Sequence, residues 1–308
     1  MSQFSAPDTA AFDRVAYLVG FPIAHSKSPL LHRAIYTATG RNWAQLLCET
    51  KDLDAFMSHL RGDAKCIGSG VTMPFKVAVI PQLDELTEEG KAIGAVNTIF
   101  FKTGPNGSRL YCGTNTDCIG IHDAFLTNVV GSPYRGKPGL VVGGGGTCRA
   151  AIYALQRLMG CMPIYIINRD ASEVEAVLQE FRERGRGDDL IHVTTTEQAR
   201  DLSAPGAVVS AVPDFPPVTD NERAVREILE IFLSTTENGA LLEMCYHPSP
   251  DTEISRLALN AGWQLIGGVE AMIGQGLAQA SLWTGVEVDS TLRSVVREAV
   301  QGQMKLPT

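Results

Sequence analysis

The sequence of 308 residues lacks the marks of a nucleic-acid or membrane protein. Its formal net charge is −8, whereas a nucleic-acid binder normally carries a basic face. It has no run of about 18 consecutive apolar residues, the length expected of a membrane helix. The start, MSQFSAPDTAAFDR, lacks the basic and apolar regions of a secretion signal. We therefore expect neither a nucleic-acid nor a membrane partner.

Cysteine pairs are also lacking. The seven cysteines are odd in number, and no two stand in a C-x-x-C spacing. This pattern is typical neither of a disulfide-stapled secreted domain nor of a zinc site. The histidines His25 and His247 belong to no H-x-x-x-H spacing that would indicate a metal. We expect reduced thiols, a cytoplasmic location and no metal.

What the sequence does contain is an alternation of strand-like and helix-like segments. VAYLVG (15–20) predicts a strand, and PLLHRAIYTATG (29–40) predicts a helix that begins at Pro29 and ends at Gly40. After a Gly- and Pro-rich loop at 131–139, the alternation resumes with LVVGGGG. The β-α-β-α order predicts mostly parallel sheets with helices on their faces, and the length suggests two domains.

A glycine loop, Gly143 to Gly146, lies between a predicted strand and a predicted helix. Glycines in this position let the backbone turn sharply and approach a pyrophosphate, and the following helix N-terminus favours the anion. A tight turn alone would explain the glycines. The second strand, which ends at Asn168 within about 30 residues, favours a dinucleotide site instead.

The residues after that second strand bear on the choice of cofactor. An acidic group there binds the ribose hydroxyls of NAD, and an arginine binds the 2′-phosphate of NADP. The segment offers both, since Arg169 is followed by Asp170 and Glu173. Because the two carboxylates would repel a phosphate, we predict NAD, with NADP as the alternative.

Three polar patches in the first half of the chain are not explained by the predicted strands and helices alone. Ser26 and Ser28 flank a helix start, where a hydroxyl can cap the helix or bind a carboxylate. Lys76 follows a buried strand, at the sheet edge where α/β proteins bind ligands, although a lysine taken alone is more often a solvated charge. The third patch is Asn115-Thr116-Asp117, which follows Ala95-Val96-Asn97-Thr98.

A lysine beside a carboxylate suits the oxidation of a secondary alcohol. The hydroxyl proton must leave as hydride moves to the nicotinamide, and such a pair can relay it. Free lysine has a pKa near 10.4, so a lysine base needs desolvation. A lysine that stays cationic would instead polarise the oxygen. The sequence leaves both roles open.

Together these motifs closely resemble the shikimate/quinate dehydrogenase family. S-K-S-P, V-T-x-P-F-K, A-x-G-A-V-N-T, N-T-D and a late G-x-x-x-Q segment occur in the family's order across nearly the whole chain. The run L-L-E-M-C-Y-H-P looks like the stand-alone fungal branch. The resemblance implies a three-layer α/β substrate domain at 1–120, completed by helices at about 270–308. It also implies a Rossmann dinucleotide-binding domain at 121–269, with the active site in the cleft between the two.

The resemblance also assigns roles to residues. The catalytic pair would be Lys76 and Asp117. Substrate contacts would come from Ser26 and Ser28 (carboxylate), Thr72, Asn97 and Gln275 (ring hydroxyls) and Tyr246 (pocket wall). Cofactor contacts would come from Gly143, Gly144, Gly145, Gly146, Thr147 and Cys148 (pyrophosphate), Asn168, Arg169 and Asp170 (adenosine) and Val212, Met244 and Gly268 (nicotinamide half).

Two positions depart from the family pattern. Gly70 stands where many members have Asn, two residues before the Thr of V-T-x-P. NADP-dependent members carry N-R-T-x-x-R after the second strand, whereas this chain reads N-R-D-A-S-E, with Glu173 in place of the second arginine. The second departure supports NAD, and NAD suits the catabolic oxidation of quinate.

The resulting hypothesis is an NAD-dependent quinate/shikimate 3-dehydrogenase with a small-molecule substrate, monomeric or homodimeric. One alternative is an NADP-dependent biosynthetic shikimate dehydrogenase in which Arg169 alone binds the 2′-phosphate. Another is a non-catalytic relative that senses pathway metabolites, although such a protein could have lost Lys76 or Asp117, and both are present. The last is a dehydrogenase for an unrelated substrate on the same scaffold.

Overall fold

The computed structural model describes residues 5–235, 238–247 and 249–304. The chain divides into two compact units, Met1–Thr116 with Met272–Thr308, and Asp117–Ala271. Within the described residues, no helix is long and apolar enough to cross a membrane. None of the seven cysteines, all of which are described, is joined in a disulfide.

Strands and helices alternate along most of the chain. The strands are β1 (Arg14–Gly20), β2 (Trp43–Glu49), β3 (Cys66–Val71), β4 (Glu85–Leu86), β5 (Thr98–Thr103), β6 (Arg109–Thr114), β7 (Gly139–Val142), β8 (Ile164–Ile167), β9 (Leu190–His192), β10 (Ala207–Ser210), β11 (Ala240–Glu243) and β12 (Gln264–Gly267). The helices are α1 (Ser28–Ala38), α2 (Leu53–Gly62), α3 (Phe75–Ala78), α4 (Glu88–Ile93), α5 (Asp117–Asn128), α6 (Gly146–Tyr153), α7 (Ala171–Glu183), α8 (Thr196–Asp201), α9 (Asp220–Leu233), α10 (Glu253–Asn260), α11 (Gly268–Thr284) and α12 (Ser290–Met304).

The first unit is built on a mixed sheet with the strand order β2-β1-β3-β5-β6-β4. Alternate residues of β1 face two different cores. Val15, Tyr17 and Val19 pack with α2, whereas Ala16 packs with Trp283 of α11. Because successive side chains of a strand point to opposite faces, the sheet is covered on both sides, and this unit has three layers.

The second unit is built on a parallel sheet with the order β12-β11-β10-β7-β8-β9. Its central strand β7 is buried along its whole length, as expected of a parallel strand covered on both faces. The helices α9 and α10 pack on one face, where Tyr165 stacks on Phe232 with ring centroids 5.4 Å apart. All six strands end at one edge, which is the ligand edge of such sheets.

The structure confirms two α/β units and differs from the prediction in detail. The helix predicted at 29–40 begins one residue earlier and ends at Ala38, with Gly40 at φ +67° after it. In the first sheet, β5 is antiparallel to both β3 and β6. It forms a hairpin with β6 around Asn106 and Gly107, which both have positive φ. The Asn-Gly pair was the available sequence signal for this hairpin.

Candidate active site

The loop between β1 and α1 carries Ser26 and Ser28. Glu49, the last residue of β2, holds this loop because its Oε2 accepts hydrogen bonds from the backbone N–H groups of Ile23 (2.7 Å) and Ala24 (2.8 Å). The N–H of Ser28 donates to Ser26 Oγ at 3.3 Å, so the two serines lie side by side. The N-cap position of α1 belongs to neither serine and makes no capping side-chain bond. Ser26 Oγ thus satisfies the first N–H of α1, whereas the Ser28 hydroxyl has no capping role.

The segment after β3 lies directly against the end of β1. Thr72 donates its N–H to the carbonyl of Val19 at 2.9 Å, and Met73 accepts the N–H of Phe21 at 2.9 Å. A Cβ at Gly20 would lie 2.4 Å from Thr72 Cγ2, so only glycine permits this approach. The S-K-S-P and V-T-x-P-F-K motifs therefore follow neighbouring parallel strands at the same sheet edge.

Lys76 is the second residue of α3 and is half-buried. Its backbone carbonyl accepts the N–H of Val96 at 2.6 Å, which joins α3 to the segment that carries Asn97. The backbone of the lysine is therefore anchored to the segment that carries Asn97.

Asn97 is the centre of a buried amide and hydroxyl network. Its Oδ1 accepts the backbone N–H of Thr116 (2.7 Å) and the hydroxyl of Thr98 (2.7 Å). Its Nδ2 donates to Thr116 Oγ1 (3.1 Å) and lies 3.5 Å from Gln275 Oε1. A backbone N–H can only donate, so the Thr116 bond fixes which way the Asn97 amide faces.

A second buried amide, Gln279, extends this network towards α1. Its Nε2 donates to Thr98 Oγ1 at 2.9 Å and to the carbonyl of Asn97 at 3.3 Å, and its Oε1 bonds to His32 Nε2 at 3.1 Å. Burial lowers the pKa of His32 to about 4, which keeps the ring neutral. Sequence reasoning missed His32 and Gln279. The spacing of Gln275 and Gln279, one helical turn apart, was the available signal.

Asp117 follows this network directly in the chain and is the first residue of α5. The two residues before it, Asn115 and Thr116, are fully buried, and Asn115 Nδ2 donates to the carbonyl of Ala95 at 2.9 Å. Asp117 itself is half-buried. Asp117 therefore lies in the first turn of α5, directly beside the buried network.

The glycine loop links β7 to α6. Gly143 has φ +125°, and a Cβ there would lie 2.7 Å from Cys148 Sγ. Gly145 is the N-cap of α6 and is exposed, with nothing within 4 Å of the place where a Cβ would be. Gly145 has no side chain to cap the helix, so its N-terminus can face an anion.

Two carboxylates, those of Asp170 and Glu173, follow the end of β8. Glu173 Oε2 accepts a hydrogen bond from Asn168 Nδ2 at 2.8 Å and would lie 2.8 Å from a Cβ at Gly144. Asp170 caps α7 by accepting the N–H of Ser172 at 2.8 Å. Hydrogen bonds from the Ser172 side chain and backbone lower the pKa of Asp170. Glu173 therefore brings negative charge to the glycine loop, and Asp170 brings it to the start of α7.

Arg169 is already paired with a carboxylate. Its Nη1 lies 2.6 Å from Glu222 Oε1, with 67% of the arginine side chain and 18% of the glutamate side chain exposed. The backbone N–H of Thr219, followed by the Arg169 guanidinium, lowers the pKa of Glu222 to about 2. Nothing local in the sequence indicated this pair, since Glu222 lies 53 residues away on α9.

The remaining residues predicted for the cofactor follow β10, β11 and β12. A Cβ at Gly143 would lie 3.3 Å from Val212 Cγ1, and a Cβ at Gly268 only 2.4 Å from the carbonyl oxygen of Met244. Tyr246 follows two residues after Met244 and is half-buried, and burial raises the pKa of its phenol. These residues therefore lie at the same sheet edge as the glycine loop.

Comparisons with known proteins identify the family. A family model described as the shikimate dehydrogenase substrate binding domain matches residues 18–99. A quinate dehydrogenase from Emericella nidulans is 47% identical over 298 residues, which covers 90% of this chain and 90% of that protein. The chain belongs to the shikimate/quinate dehydrogenase family. The resemblance predicted from the motifs is thus confirmed.

Solved structures of the family share the fold. Dehydroquinate dehydratase and shikimate dehydrogenase from the S. pombe AROM protein aligns with TM-score 0.75 and 31% identity, over 93% of this chain and 53% of that one. Shikimate 5-dehydrogenase from Thermus thermophilus, in complex with NADP(H) and shikimate, aligns with TM-score 0.72 and 28% identity, over 93% and 99%. The chain is an oxidoreductase that acts on CH–OH groups and uses a nicotinamide dinucleotide.

Proposed function

We propose that this family member is an NAD-dependent quinate/shikimate 3-dehydrogenase. It transfers hydride reversibly between NAD and the C3 hydroxyl of quinate or shikimate, giving 3-dehydroquinate or 3-dehydroshikimate. The observation that carries the proposal is the buried network in which Thr116 fixes the amide of Asn97 beside Gln275. A preorganised set of donors and acceptors is what recognition of a polyol requires.

The substrate carboxylate is assigned to Ser26 and Ser28, and its ring hydroxyls to Thr72, Asn97 and Gln275. Support for the first assignment comes from the neighbouring serines on a loop held by Glu49. Support for the second comes from Thr72, which follows β3 at the same sheet edge as the serine loop, and from the amides of Asn97 and Gln275, which lie 3.5 Å apart. Tyr246 is assigned to the pocket wall, where its phenol offers a further hydroxyl contact.

The reacting proton is assigned to Lys76 and Asp117. Bound NAD supplies a hydride acceptor at the nicotinamide ring. During oxidation the C3 hydroxyl loses its proton. Lys76 Nζ either accepts that proton, or it remains charged and stabilises the developing alkoxide while the proton passes to water. The family resemblance assigns Asp117 as the second member of this catalytic pair. The pH dependence of kcat separates the roles: it rises with pH for a neutral base and falls with pH for a fixed cation.

The preference for NAD rests on the carboxylates around the end of β8. Glu173 and Asp170 can accept hydrogen bonds from ribose hydroxyls, and both would repel a 2′-phosphate. Arg169, the cation that would bind such a phosphate, is paired with Glu222 at 2.6 Å. Binding NADP there would therefore require breaking an ion pair and bringing a phosphate near two further carboxylates.

Replacement of Lys76 tests the mechanism. We expect Lys76→Ala to lower kcat for quinate or shikimate by about a hundredfold or more, the usual contribution of a positioned acid-base group. Folding, followed by circular dichroism, and NAD affinity, measured by calorimetry, should be unchanged. Lys91→Ala is the matched control, because Lys91 is an exposed lysine of the same unit that pairs with Glu88. Full activity in Lys76→Ala would contradict the assignment.

A further inference from the structure

A buried carboxylate lies at the end of β11 and has no role in the reaction as described so far. Glu243 is the last residue of this strand and is 2% exposed. Its Oε1 accepts the backbone N–H of Cys245 at 3.0 Å, and its Oε2 accepts the hydroxyl of Thr252 at 3.1 Å. Burial of an ionisable group is costly, so its presence at this position needs a specific explanation.

The partner of Glu243 is itself part of a buried cluster at the start of α10. Thr252 is the N-cap of this helix and accepts the N–H of Ser255 at 3.0 Å. The hydroxyls of Thr252 and Ser255 are 2.9 Å apart, and both residues are buried. Glu243 therefore links the end of β11 to the start of α10, across the segment that joins the two elements.

The segment that begins directly after Glu243 carries two of the proposed ligand contacts. Met244 is anchored by its own N–H to the carbonyl of Ser210 at 2.9 Å, and its carbonyl lies against Gly268. Tyr246 comes two residues later. The Glu243 carboxylate holds the backbone between them, because it accepts the N–H of Cys245.

The surroundings of Glu243 place its titration near neutrality. Burial raises the pKa of Glu243 to about 7, against the lowering effect of the Cys245 and Thr252 donors. Among its charged and titratable neighbours, Asp214 from the segment after β10 raises this pKa further, and Cys245 lies on its own segment. At the start of α10, Glu253 donates its N–H to Asp214 at 3.0 Å and pairs its carboxylate with Arg226 of α9 at 2.6 Å.

We propose that Glu243 is a positioning residue for the dehydrogenase reaction: it clamps the segment Met244–His247 and so sets how Met244 and Tyr246 meet the cofactor and the substrate. The inference rests on the proposed function, because it uses the roles assigned there to these two residues. The ionised carboxylate makes two charge-assisted hydrogen bonds, which are about twice as strong as neutral ones. Protonation weakens the clamp without removing it.

Steady-state kinetics and NAD calorimetry on the full enzyme test the clamp. At pH values above neutrality, Glu243→Ala should raise the KM for quinate and the Kd for NAD by about tenfold, since it removes two bonds to a charged acceptor. The kcat should change far less. Glu243→Gln, which resembles the protonated carboxyl, should show a smaller rise. In the wild-type enzyme the KM for quinate should rise as the pH falls through 7, because Glu243 becomes protonated. In Glu243→Gln this rise should be absent, because glutamine does not titrate.

Two threonine variants separate positioning from plain stability. Thr252→Ala removes the hydroxyl that donates to Glu243 Oε2 and should reproduce the KM shift of Glu243→Ala. Thr195→Ala is the matched control, because Thr195 caps α8 in the same way, accepting the N–H of Gln198 at 3.2 Å. It should lower the stability of the same unit and leave KM unchanged. KM and Kd values within twofold of wild type in Glu243→Ala and Thr252→Ala, or an equal shift in Thr195→Ala, would overturn the proposal.

Amide hydrogen exchange distinguishes failure of the clamp from failure of the proposed function. In the enzyme without substrate, the Cys245 amide should exchange faster in Glu243→Gln than in wild type, because its acceptor is weaker. Equal exchange would overturn the clamp even if quinate is turned over. A wild-type enzyme that oxidises neither quinate nor shikimate would instead overturn the proposed function, while the exchange result would still decide whether the clamp exists.

Discussion

The buried Glu243 predicts a specific dependence of stability on pH. Its pKa is about 7 in the folded protein, against an ordinary value of 4.5, so the folded state holds the proton more tightly than the unfolded chain. Stability from this group is therefore fully present below about pH 4.5 and is lost as the pH rises through about 7. At about 1.36 kcal/mol per pH unit, the loss is about 3 kcal/mol.

Glu243→Gln removes this dependence, because glutamine does not titrate. We expect the variant to gain about 2 to 3 kcal/mol in unfolding free energy relative to wild type between about pH 5 and about pH 8. Urea denaturation of both proteins at a series of pH values gives this difference, and other titrating groups cancel in the comparison. A difference that stays constant across the range would refute the reasoning about the burial of this carboxylate. Thr195→Ala should show such a constant difference from wild type, because it removes a helix cap and no ionisable group.

Three further substitutions test the site. Glu173→Gln should reduce the preference for NAD over NADP by about tenfold, because it removes one carboxylate from the end of β8; unchanged kcat/KM ratios for the two cofactors would contradict this. Glu49→Gln should raise the KM for quinate several-fold with little change in kcat, since a neutral amide holds the loop of Ser26 less firmly, and an unchanged KM would count against the loop's role. Gly144→Ala should weaken NAD binding by about tenfold or more in calorimetry, since its Cβ would lie 2.8 Å from the Glu173 carboxylate; wild-type affinity would show that the loop need not keep this shape.

Local sequence patterns were sufficient to predict the parts of the fold that depend on neighbours in the chain. The glycine loop was predictable because a strand, four glycines and a helix follow one another directly. The shared edge of the S-K-S-P and V-T-x-P-F-K motifs was predictable because both follow parallel strands. The hairpin of β5 and β6 was missed because the sheets were predicted to be mostly parallel and the Asn106-Gly107 pair was not considered as a turn.

Contacts between distant segments were not predictable from one sequence. Glu49 binds a loop 25 and 26 residues away, and Glu222 pairs with Arg169 across 53 residues. The chain of His32, Gln279 and Asn97 joins α1, α11 and the segment before β5. The periodicity of apolar residues does not predict such partners, because these contacts depend on the order of the strands in each sheet. The sequence therefore indicated candidate reacting residues, and the structure shows the distant groups that hold the segments around them.

A kinetic comparison of two substrates and two cofactors tests the central claim most directly. The measurement is kcat/KM for quinate and for shikimate, each with NAD and with NADP, under one set of conditions. We predict turnover of at least one substrate at the C3 hydroxyl, with kcat/KM higher for NAD than for NADP. A higher value with NADP would contradict the cofactor assignment, and the absence of turnover in all four combinations would contradict the proposed reaction.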